Sequence, residues 1–211
     1  MNISLYDFDG TIYRGDSSVD YALHCILRRP YLAPLVIVVS FLVALHKCGL
    51  VKKETAKALL FMIMSPADVS IRTFVKKIRN KFNQETLAMM GRDIASGIMP
   101  IVISAGPRLL VESAVQSFAA VTVIATETDP RHPWRLRSPN CSGEEKVRRL
   151  REWLAMRRTS LGEVRITHVV SDSLDDIPLF QLGERCYFVR GSLIRNGLPA
   201  AKSMTGRGRF R

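Results

Sequence analysis

The sequence predicts an α/β fold with a parallel sheet and a helical segment inserted after the first strand. After about residue 98, short apolar runs alternate with stretches of helical periodicity, which is typical of parallel α/β domains. The predicted strands are residues 3–8, 99–104, 121–125, 166–171 and 186–189, and the predicted helices between them are residues 107–118, 144–156 and 177–182. Such strands are short and apolar because helices cover both faces of the sheet.

Residues 14–97 interrupt this alternation and are predicted to be helical throughout. Residues 17–20 read SSVD, the spacing of a capping box, which predicts that a helix follows over residues 21–27. Two further amphipathic helices are predicted at residues 50–64 and 69–81. The predicted division is a core of residues 1–13 and 98–198, a helical cap of residues 14–97 and a tail of residues 199–211.

Composition excludes wholesale disorder and indicates an anionic partner. The 211 residues are 47% hydrophobic, which is enough for one packed core domain and a smaller insertion. Lys and Arg number 31 against 19 Asp and Glu, a net charge of +12 that favours a phosphorylated metabolite, an anionic lipid surface or nucleic acid. A solvated basic coat is the alternative explanation of most of this charge. Residues 199–211 are rich in Lys, Arg and Gly and are expected to form a disordered basic tail, so nucleic acid is not the expected partner.

The cysteines and the N-terminus favour a cytoplasmic location. Cys25, Cys48, Cys141 and Cys186 are far apart in the sequence and form no CxxC pair, so free thiols in a reducing compartment are expected. No basic and then apolar leader precedes the first predicted strand, so a secretory signal peptide is not expected.

The stretch from Tyr31 to Leu45 carries no charge, whereas Arg28 and Arg29 precede it and Lys47 follows. As a helix it would be roughly 22 Å long, which is shorter than the ~30 Å core of a bilayer. Two alternatives therefore remain: a helix buried within the cap, which we favour, or a helix in a membrane interface with its basic flanks on anionic headgroups. The second alternative would place the protein at the inner face of the membrane.

Residues 7–11 read DFDGT at the end of the first predicted strand. Alternate residues of a strand point the same way, so Asp7 and Asp9 could face one pocket as the strand ends. Two carboxylates and a glycine turn make a compact site for Mg²⁺ and phosphate. Ser104 and Asp172 also fall at the ends of predicted strands, and catalytic groups of parallel sheets lie at the carboxyl ends of strands.

Two further positions suit a phosphoryl group. Ser104 precedes Ala105 and Gly106 before a predicted helix, where its hydroxyl and nearby backbone N–H groups could hold a phosphoryl oxygen. An ordinary helix N-cap is the simpler reading of Ser104 alone. Lys146 lies in the first turn of a predicted helix, where it opposes the helix dipole, and this favours a specific task for its charge.

In their order along the chain, four segments resemble the four motifs of the haloacid-dehalogenase-like hydrolase superfamily, whose core is a Rossmann-like parallel sheet. These segments are residues 7–11 (DFDGT), 101–104 (IVIS), 143–146 (GEEK) and 170–176 (VSDSLDD). The helical insertion resembles the cap of the phosphoserine-phosphatase-like branch, subfamily IB. The first motif and the apolar cap helix together are also similar to phosphatidylglycerophosphatase C-type members.

This resemblance implies a role for each site residue. Asp7 would be the nucleophile that forms an aspartyl-phosphate, and Asp9 the general acid and then the general base. The phosphoryl group would be bound by Ser104, Ala105, Gly106 and Lys146. Mg²⁺ would be held by Asp7, the backbone carbonyl of Asp9 and Asp172, with support from Asp176. Ser171 departs from the pattern, since relatives usually have glycine there.

The resemblance therefore implies a Mg²⁺-dependent phosphomonoester hydrolase. Most superfamily members with the second aspartate, here Asp9, are phosphatases. The substrate would be a small phosphometabolite or a lipid phosphate. A phosphotransferase or mutase with the same motifs, and a binding protein without turnover, remain as alternatives.

Overall fold

The computed structural model describes residues 1–48, 50, 71–116, 121–129, 136–191 and 193–197. These residues form a six-stranded sheet with the strand order β3-β2-β1-β4-β5-β6. The strands are β1 (Asn2–Tyr6), β2 (Met99–Pro107), β3 (Thr122–Thr126), β4 (Arg165–Ser171), β5 (Cys186–Arg190) and β6 (Leu193–Asn196). The first five strands pair in parallel, and β6 runs antiparallel to β5. The predicted α/β fold with a parallel sheet is thus confirmed.

Helices flank this sheet, and most are close to their predicted positions. They are α1 (Ser17–Arg28), α2 (Ala33–Lys47), α3 (Ile71–Lys77), α4 (Gln84–Ala95), α5 (Arg108–Val115), α6 (Glu144–Met156) and α7 (Ile177–Phe180). Short 3₁₀ turns are found at Pro30–Leu32, Arg79–Lys81, Leu161–Glu163 and Leu174–Asp176. The bounds of α6 are those predicted. The helix predicted for residues 50–64 lies largely outside the described residues, as do residues 199–211.

The two faces of the sheet pack against different helices. Ile3 and Leu5 of β1 belong to a hydrophobic cluster with residues of α6 and α7, such as Leu150 and Leu179. Tyr6 belongs to a second cluster, which contains residues of α1, α3, α4 and α5. Because alternate side chains of a strand point to opposite faces, β1 lies between these two helical layers.

Three sequence predictions need correction at the ends of elements. β1 ends at Tyr6 rather than residue 8, because the carbonyl of Phe8 accepts the N–H groups of Ile12 and Tyr13 in a turn. Helix α1 does not begin with the expected capping box of residues 17–20. Asp16 is the N-cap instead, and its carboxylate accepts the backbone N–H groups at positions 18 and 19 at 2.9 and 3.0 Å. β2 continues to Pro107, which is the N-cap of α5 rather than part of its first turn.

The apolar helix α2 is not the buried cap helix that we favoured. Its side chains Leu35 and Val39 pack against the core, but Ile37 and Phe41 are 74% and 62% exposed. A single apolar stripe therefore holds the helix to the body. Among the described helices, none has the length and apolar character needed to cross a bilayer.

Helix α4, the last helix of the predicted cap segment, packs against β2. Its Asp93 carboxylate accepts a hydrogen bond of 2.5 Å from the Tyr6 hydroxyl and lies 3.0 Å from Nε2 of His168. This buried polar cluster joins α4 to β1 and β4, and so fixes the end of the inserted segment on the sheet.

Candidate active site

The candidate site is at the carboxyl ends of β1 and β4. The backbone N–H of Asp7 donates to the carbonyl of Val170 at 2.9 Å, which continues the β1–β4 pairing by one residue. Asp7 is therefore fixed at the edge of the sheet, where the prediction put it. Beyond Asp7 the chain turns around the carbonyl of Phe8 and leads into α1.

Lys146 contacts two carboxylates inside the protein. Its Nζ lies 2.7 Å from Oδ1 of Asp7 and 2.8 Å from Oδ2 of Asp176, and only 3% of its side chain is exposed. Burial by itself lowers the pKa of this amine, but the two carboxylates outweigh burial and raise the pKa above its ordinary value. Lys146 therefore stays charged and gives the interior of the site a fixed positive charge.

Asp176 is held from a second side by Ser171. The Ser171 hydroxyl donates to Oδ2 of Asp176 at 2.6 Å and accepts the backbone N–H of Ser173 at 3.1 Å. The serine in place of the usual glycine thus has a function in this chain: it fixes the carboxylate that positions Lys146. In the sequence, this role of Ser171 was visible only as a departure from the usual residue of the fourth motif.

The first and fourth motifs pack directly on each other. The Asp172 backbone N–H donates to Oγ1 of Thr11 at 3.0 Å, and the same hydroxyl donates to Oδ1 of Asp172 at 3.3 Å. Gly10 has φ +75°, and a Cβ built on it would lie 2.0 Å from Oδ2 of Asp172. Only glycine leaves room for this carboxylate. The sequence predicted only a glycine turn at this position and neither of these contacts.

The pKa of Asp7 is raised to about 6. Burial is the largest cause, and it outweighs the opposing charge of Lys146. The charges of Asp176 and Asp172 raise the pKa further, so Asp172 acts electrostatically on Asp7. Asp7, Asp172 and Asp176 are therefore close enough to influence one another electrostatically. That Asp7 and Asp172 share one Mg²⁺ stays a prediction.

Asp9 lies at the N-terminus of α1. The backbone N–H of Ser17, the first residue of that helix, donates to Oδ1 of Asp9 at 2.7 Å. Burial raises the pKa of Asp9 to about 7, and the nearby charge of Asp16 raises it as well, whereas the hydrogen bonds from Ser17 oppose the shift. A carboxyl group with this pKa can hold a proton near neutral pH and can also release it.

Ser104, Ala105 and Gly106 lie beside Asp9. The Gly106 backbone N–H donates to Oγ of Ser104 at 2.9 Å, and a Cβ on Gly106 would lie 3.5 Å from Oδ2 of Asp9. The Thr126 hydroxyl holds the Ala105 carbonyl at 2.9 Å. The pairing of β2 with β3 shifts in register between Ser104 and Pro107, and this irregular part of β2 lies next to Asp9.

The oxygen atoms at this edge suit Mg²⁺. Within the described ranges, no group of three or more His, Cys, Asp or Glu side chains is arranged as a metal cluster. The predicted donor set is different, since it consists of the carboxylates of Asp7 and Asp172 and one backbone carbonyl, that of Asp9. Mg²⁺ binds through few carboxylates and keeps several waters, so this set fits. Burial first, and then the charges of Asp176 and Asp172, raise the pKa of Asp7, and a bound cation would favour its ionised form.

Several solved structures share this fold at low sequence identity. A protein of unknown function from Bordetella pertussis Tohama I is 22% identical, with a TM-score of 0.74 and 88% of each chain covered. A phosphoserine phosphohydrolase-like protein from Francisella tularensis is 16% identical, with a TM-score of 0.57 and coverage of 88% of this chain and 86% of that one. A phosphoserine phosphatase studied as a phospho-aspartyl intermediate analogue is 14% identical, with a TM-score of 0.60 and coverage of 88% and 84%.

A search of curated proteins gave no match to this chain. The family model of haloacid dehalogenase-like hydrolases matches residues 5–181, which include all four motif segments and the whole inserted segment. This match agrees with the strand order, the parallel sheet and the carboxylates at its edge. The chain belongs to the haloacid dehalogenase-like hydrolase family.

Proposed function

We propose that this protein is a Mg²⁺-dependent phosphomonoester hydrolase that acts through an aspartyl-phosphate on Asp7. The observation that carries the proposal is the contact of Lys146 with Asp7 at the carboxyl end of β1. A buried, charged amine holds one oxygen of that carboxylate and leaves the other as the nucleophile. Asp9 and Asp172 lie at the same edge, so a nucleophile, an acid and oxygen ligands occur together.

In the first step, a carboxylate oxygen of Asp7 attacks phosphorus, and the bond from phosphorus to the leaving oxygen breaks. Asp9 gives its proton to that oxygen, so an alcohol leaves rather than an alkoxide. Lys146, the hydroxyl of Ser104 and the backbone N–H of Ala105 offset the negative charge of the phosphoryl oxygens. The Gly106 N–H orients the Ser104 hydroxyl by donating to it.

In the second step, water attacks the phosphorus of the aspartyl-phosphate. Asp9, now ionised, takes a proton from this water, and the bond between phosphorus and Asp7 breaks. Inorganic phosphate leaves, and both carboxyl groups return to their starting states. A pKa of about 7 suits Asp9 for both directions of proton transfer.

Mg²⁺ would be held by Asp7, Asp172 and the backbone carbonyl of Asp9. When bound, it supplies positive charge that reduces repulsion between the nucleophile and the phosphate. Asp176 supports the site indirectly, because its carboxylate contacts Lys146 and accepts a hydrogen bond from Ser171. Thr11 keeps the Asp172 carboxylate oriented, because it both donates to and accepts from that residue.

The substrate that we propose is a phosphorylated small molecule or a lipid phosphate. A phosphoserine phosphatase with bound substrate shares the fold at 14% identity, which leaves the substrate of this chain open between these two classes. We propose a cytoplasmic location, because Cys25, Cys48, Cys141 and Cys186 are free thiols, as predicted.

The test is phosphate release from a panel of soluble phosphomonoesters and dispersed lipid phosphates, with Mg²⁺ and with EDTA. We expect release that needs Mg²⁺ and that Asp7→Asn abolishes, with an unchanged circular dichroism spectrum. Asp175→Asn is the matched control, because this exposed carboxylate belongs to the fourth motif and has no role in the mechanism.

Equal phosphate release by the wild type and by Asp7→Asn would refute the proposed mechanism. Label from the substrate that appears in a second alcohol rather than in free phosphate would instead identify a phosphotransferase. Tight binding of a phosphomonoester without turnover would identify a binding protein.

A further inference from the structure

The surface of the cap near α1 and α2 is unusually apolar. On α1, Val19, Leu23 and Leu27 are spaced four residues apart, so they share one helical face, and each is at least half exposed. On α2, Ile37 and Phe41 form a second exposed stripe with the same spacing. We call these five residues the α1–α2 apolar surface.

Helix α2 lacks the polar outer face of an ordinary surface helix. Val36, Ile37 and Val38 are consecutive residues, yet all three are more than 40% exposed. Consecutive residues of a helix point in directions about 100° apart, so apolar side chains cover most of the circumference. An exposed apolar area of this kind usually marks a surface that binds another molecule.

The sequence that follows Asp20 through α1 and α2 carries charge of one sign, although Lys52 and Lys53 lie outside the described residues. Between Asp20 and Glu54 the sequence contains no acidic residue and five basic ones, which are Arg28, Arg29, Lys47, Lys52 and Lys53. Where α1 ends, Arg28 is exposed, and the Arg29 guanidinium donates to the Tyr31 hydroxyl at 3.2 Å. Tyr31 itself is 67% exposed and lies between the two helices. Aromatic and basic residues beside apolar side chains are typical of a membrane interface.

We infer that the α1–α2 apolar surface docks on an anionic lipid bilayer, with α2 lying in the plane of the interface. The apolar side chains enter the boundary between headgroups and acyl chains, and Arg28 and Arg29 contact anionic headgroups. A second copy of the chain fits this surface less well, because a symmetric contact would bring the same positive charges together. The net charge of +12 also favours an anionic bilayer over a second copy of this chain.

This docking places the candidate active site within reach of the lipid surface. Helix α1 begins at Ser17, whose backbone N–H donates to Asp9, and the apolar surface follows its outer face from Val19 over a helix roughly 18 Å long. The inference stands on exposed side chains and charge, and does not depend on the proposed phosphatase activity. If that activity is also correct, a lipid phosphate becomes the favoured substrate class.

The experiment is flotation of the 211-residue protein with two kinds of vesicle. One kind contains phosphatidylcholine alone, and the other contains phosphatidylcholine mixed with anionic phosphatidylglycerol. We expect binding to the anionic vesicles and at least a tenfold weaker binding of the double variant Ile37→Gln, Phe41→Gln. Leu193→Gln on β6 is the matched control, because this leucine is also exposed but lies on the edge strand of the sheet. Arg28→Gln should weaken binding to anionic vesicles, whereas Arg195→Gln on β6 should not.

Equal flotation of the double variant and the wild type would overturn the inference, since other basic residues would then carry the binding. No flotation of the wild type would overturn it as well. A dimer in sedimentation equilibrium that the double variant abolishes would assign the surface to a second copy and also reject the bilayer. Phosphate release from a soluble substrate, measured in parallel, should be the same for the wild type and the double variant, so a failure of the proposed function is detected separately.

Discussion

The ammonium group of Lys146 lies 2.7 Å from Oδ1 of Asp7, although 139 residues separate the two in the sequence. The same ammonium group contacts Asp176 at 2.8 Å. One buried cation thus connects the end of β1, the start of α6 and the 3₁₀ turn after β4. Under the proposed mechanism, both the stability of the site and its reactivity should depend on this contact.

Lys146→Met should abolish phosphate release and lower the free energy of unfolding by about 3–5 kcal/mol, because it leaves two buried carboxylates without their cation. The loss should be smaller at pH 5, where a carboxyl group of the site can take up a proton. Urea denaturation followed by circular dichroism measures it. Arg148→Met is the control, because Arg148 also pairs with acids but on an exposed face of α6. A similar loss of unfolding free energy in both variants would mean that the buried contacts of Lys146 stabilise the protein no more than the exposed ion pairs of Arg148.

Gly10→Ala should reduce activity more than tenfold, because the new Cβ would overlap the Asp172 carboxylate and displace it. Gly97→Ala is a close control: Gly97 has φ +73° against +75° for Gly10, but its Cβ would meet nothing within 4 Å. Both variants pay about 1–2 kcal/mol for the left-handed backbone. Only Gly10→Ala should lose more stability than this and lose activity. If the two variants had equal activity, close packing of Gly10 on Asp172 would not matter for the site.

The metal-free protein should lose stability as the pH rises from about 4 to about 7. Burial raises the pKa of Asp9 from 3.8 to about 7, so in this window the native state binds more protons than the unfolded state. Asp9→Asn removes this difference and should be more stable than the wild type by about 1–3 kcal/mol at pH 8, with little gain below pH 4. Thermal unfolding in EDTA across this range measures the effect. A gain that does not vary with pH would contradict the raised pKa.

Asp93 should show the opposite pH dependence. Burial alone raises the pKa of Asp93, but hydrogen bonds from His168 and Tyr6 outweigh burial and hold the pKa below 3.8. Its stabilising contribution is therefore present at neutral pH and is lost as the pH falls below about 4. Asp93→Asn should be destabilised at pH 7 and should differ less from the wild type at pH 3. Unfolding curves at the two pH values test this, and a constant difference would reject it.

Tyr6→Phe should cost about 1–2 kcal/mol, because it removes a buried hydroxyl that donates to Asp93 at 2.5 Å. The His168 contact with Asp93 remains, so the loss should be smaller than that of Asp93→Asn at pH 7. Tyr31→Phe is the control, since the Tyr31 hydroxyl is on an exposed residue. The two denaturation midpoints should differ clearly; equal midpoints would show that the buried cluster adds nothing to stability.

Local patterns predicted a strand or helix well where the apolar residues recur regularly. Strands β4 and β5 follow from their apolar runs, and the whole of α6 follows from its helical periodicity. The start of α1 did not follow from its pattern. Asp20 has the spacing of a capping box, but its carboxylate binds the Tyr13 hydroxyl and Lys81, so it cannot reach back to cap the helix. Asp16 caps the helix instead, which only the contacts across the turn reveal.

The sequence by itself determined the α/β fold, the motif order and the residue types needed for phosphate chemistry, because periodicity and motif spacing are local properties of the chain. Only the tertiary structure decided that Ser171 and Thr11 orient two of the acids and that α2 is exposed rather than buried. It also showed burial raising the pKa of Asp7 and Asp9. The physical reason is that burial, desolvation and contact between distant segments are properties of the packed chain, and a linear pattern does not contain them.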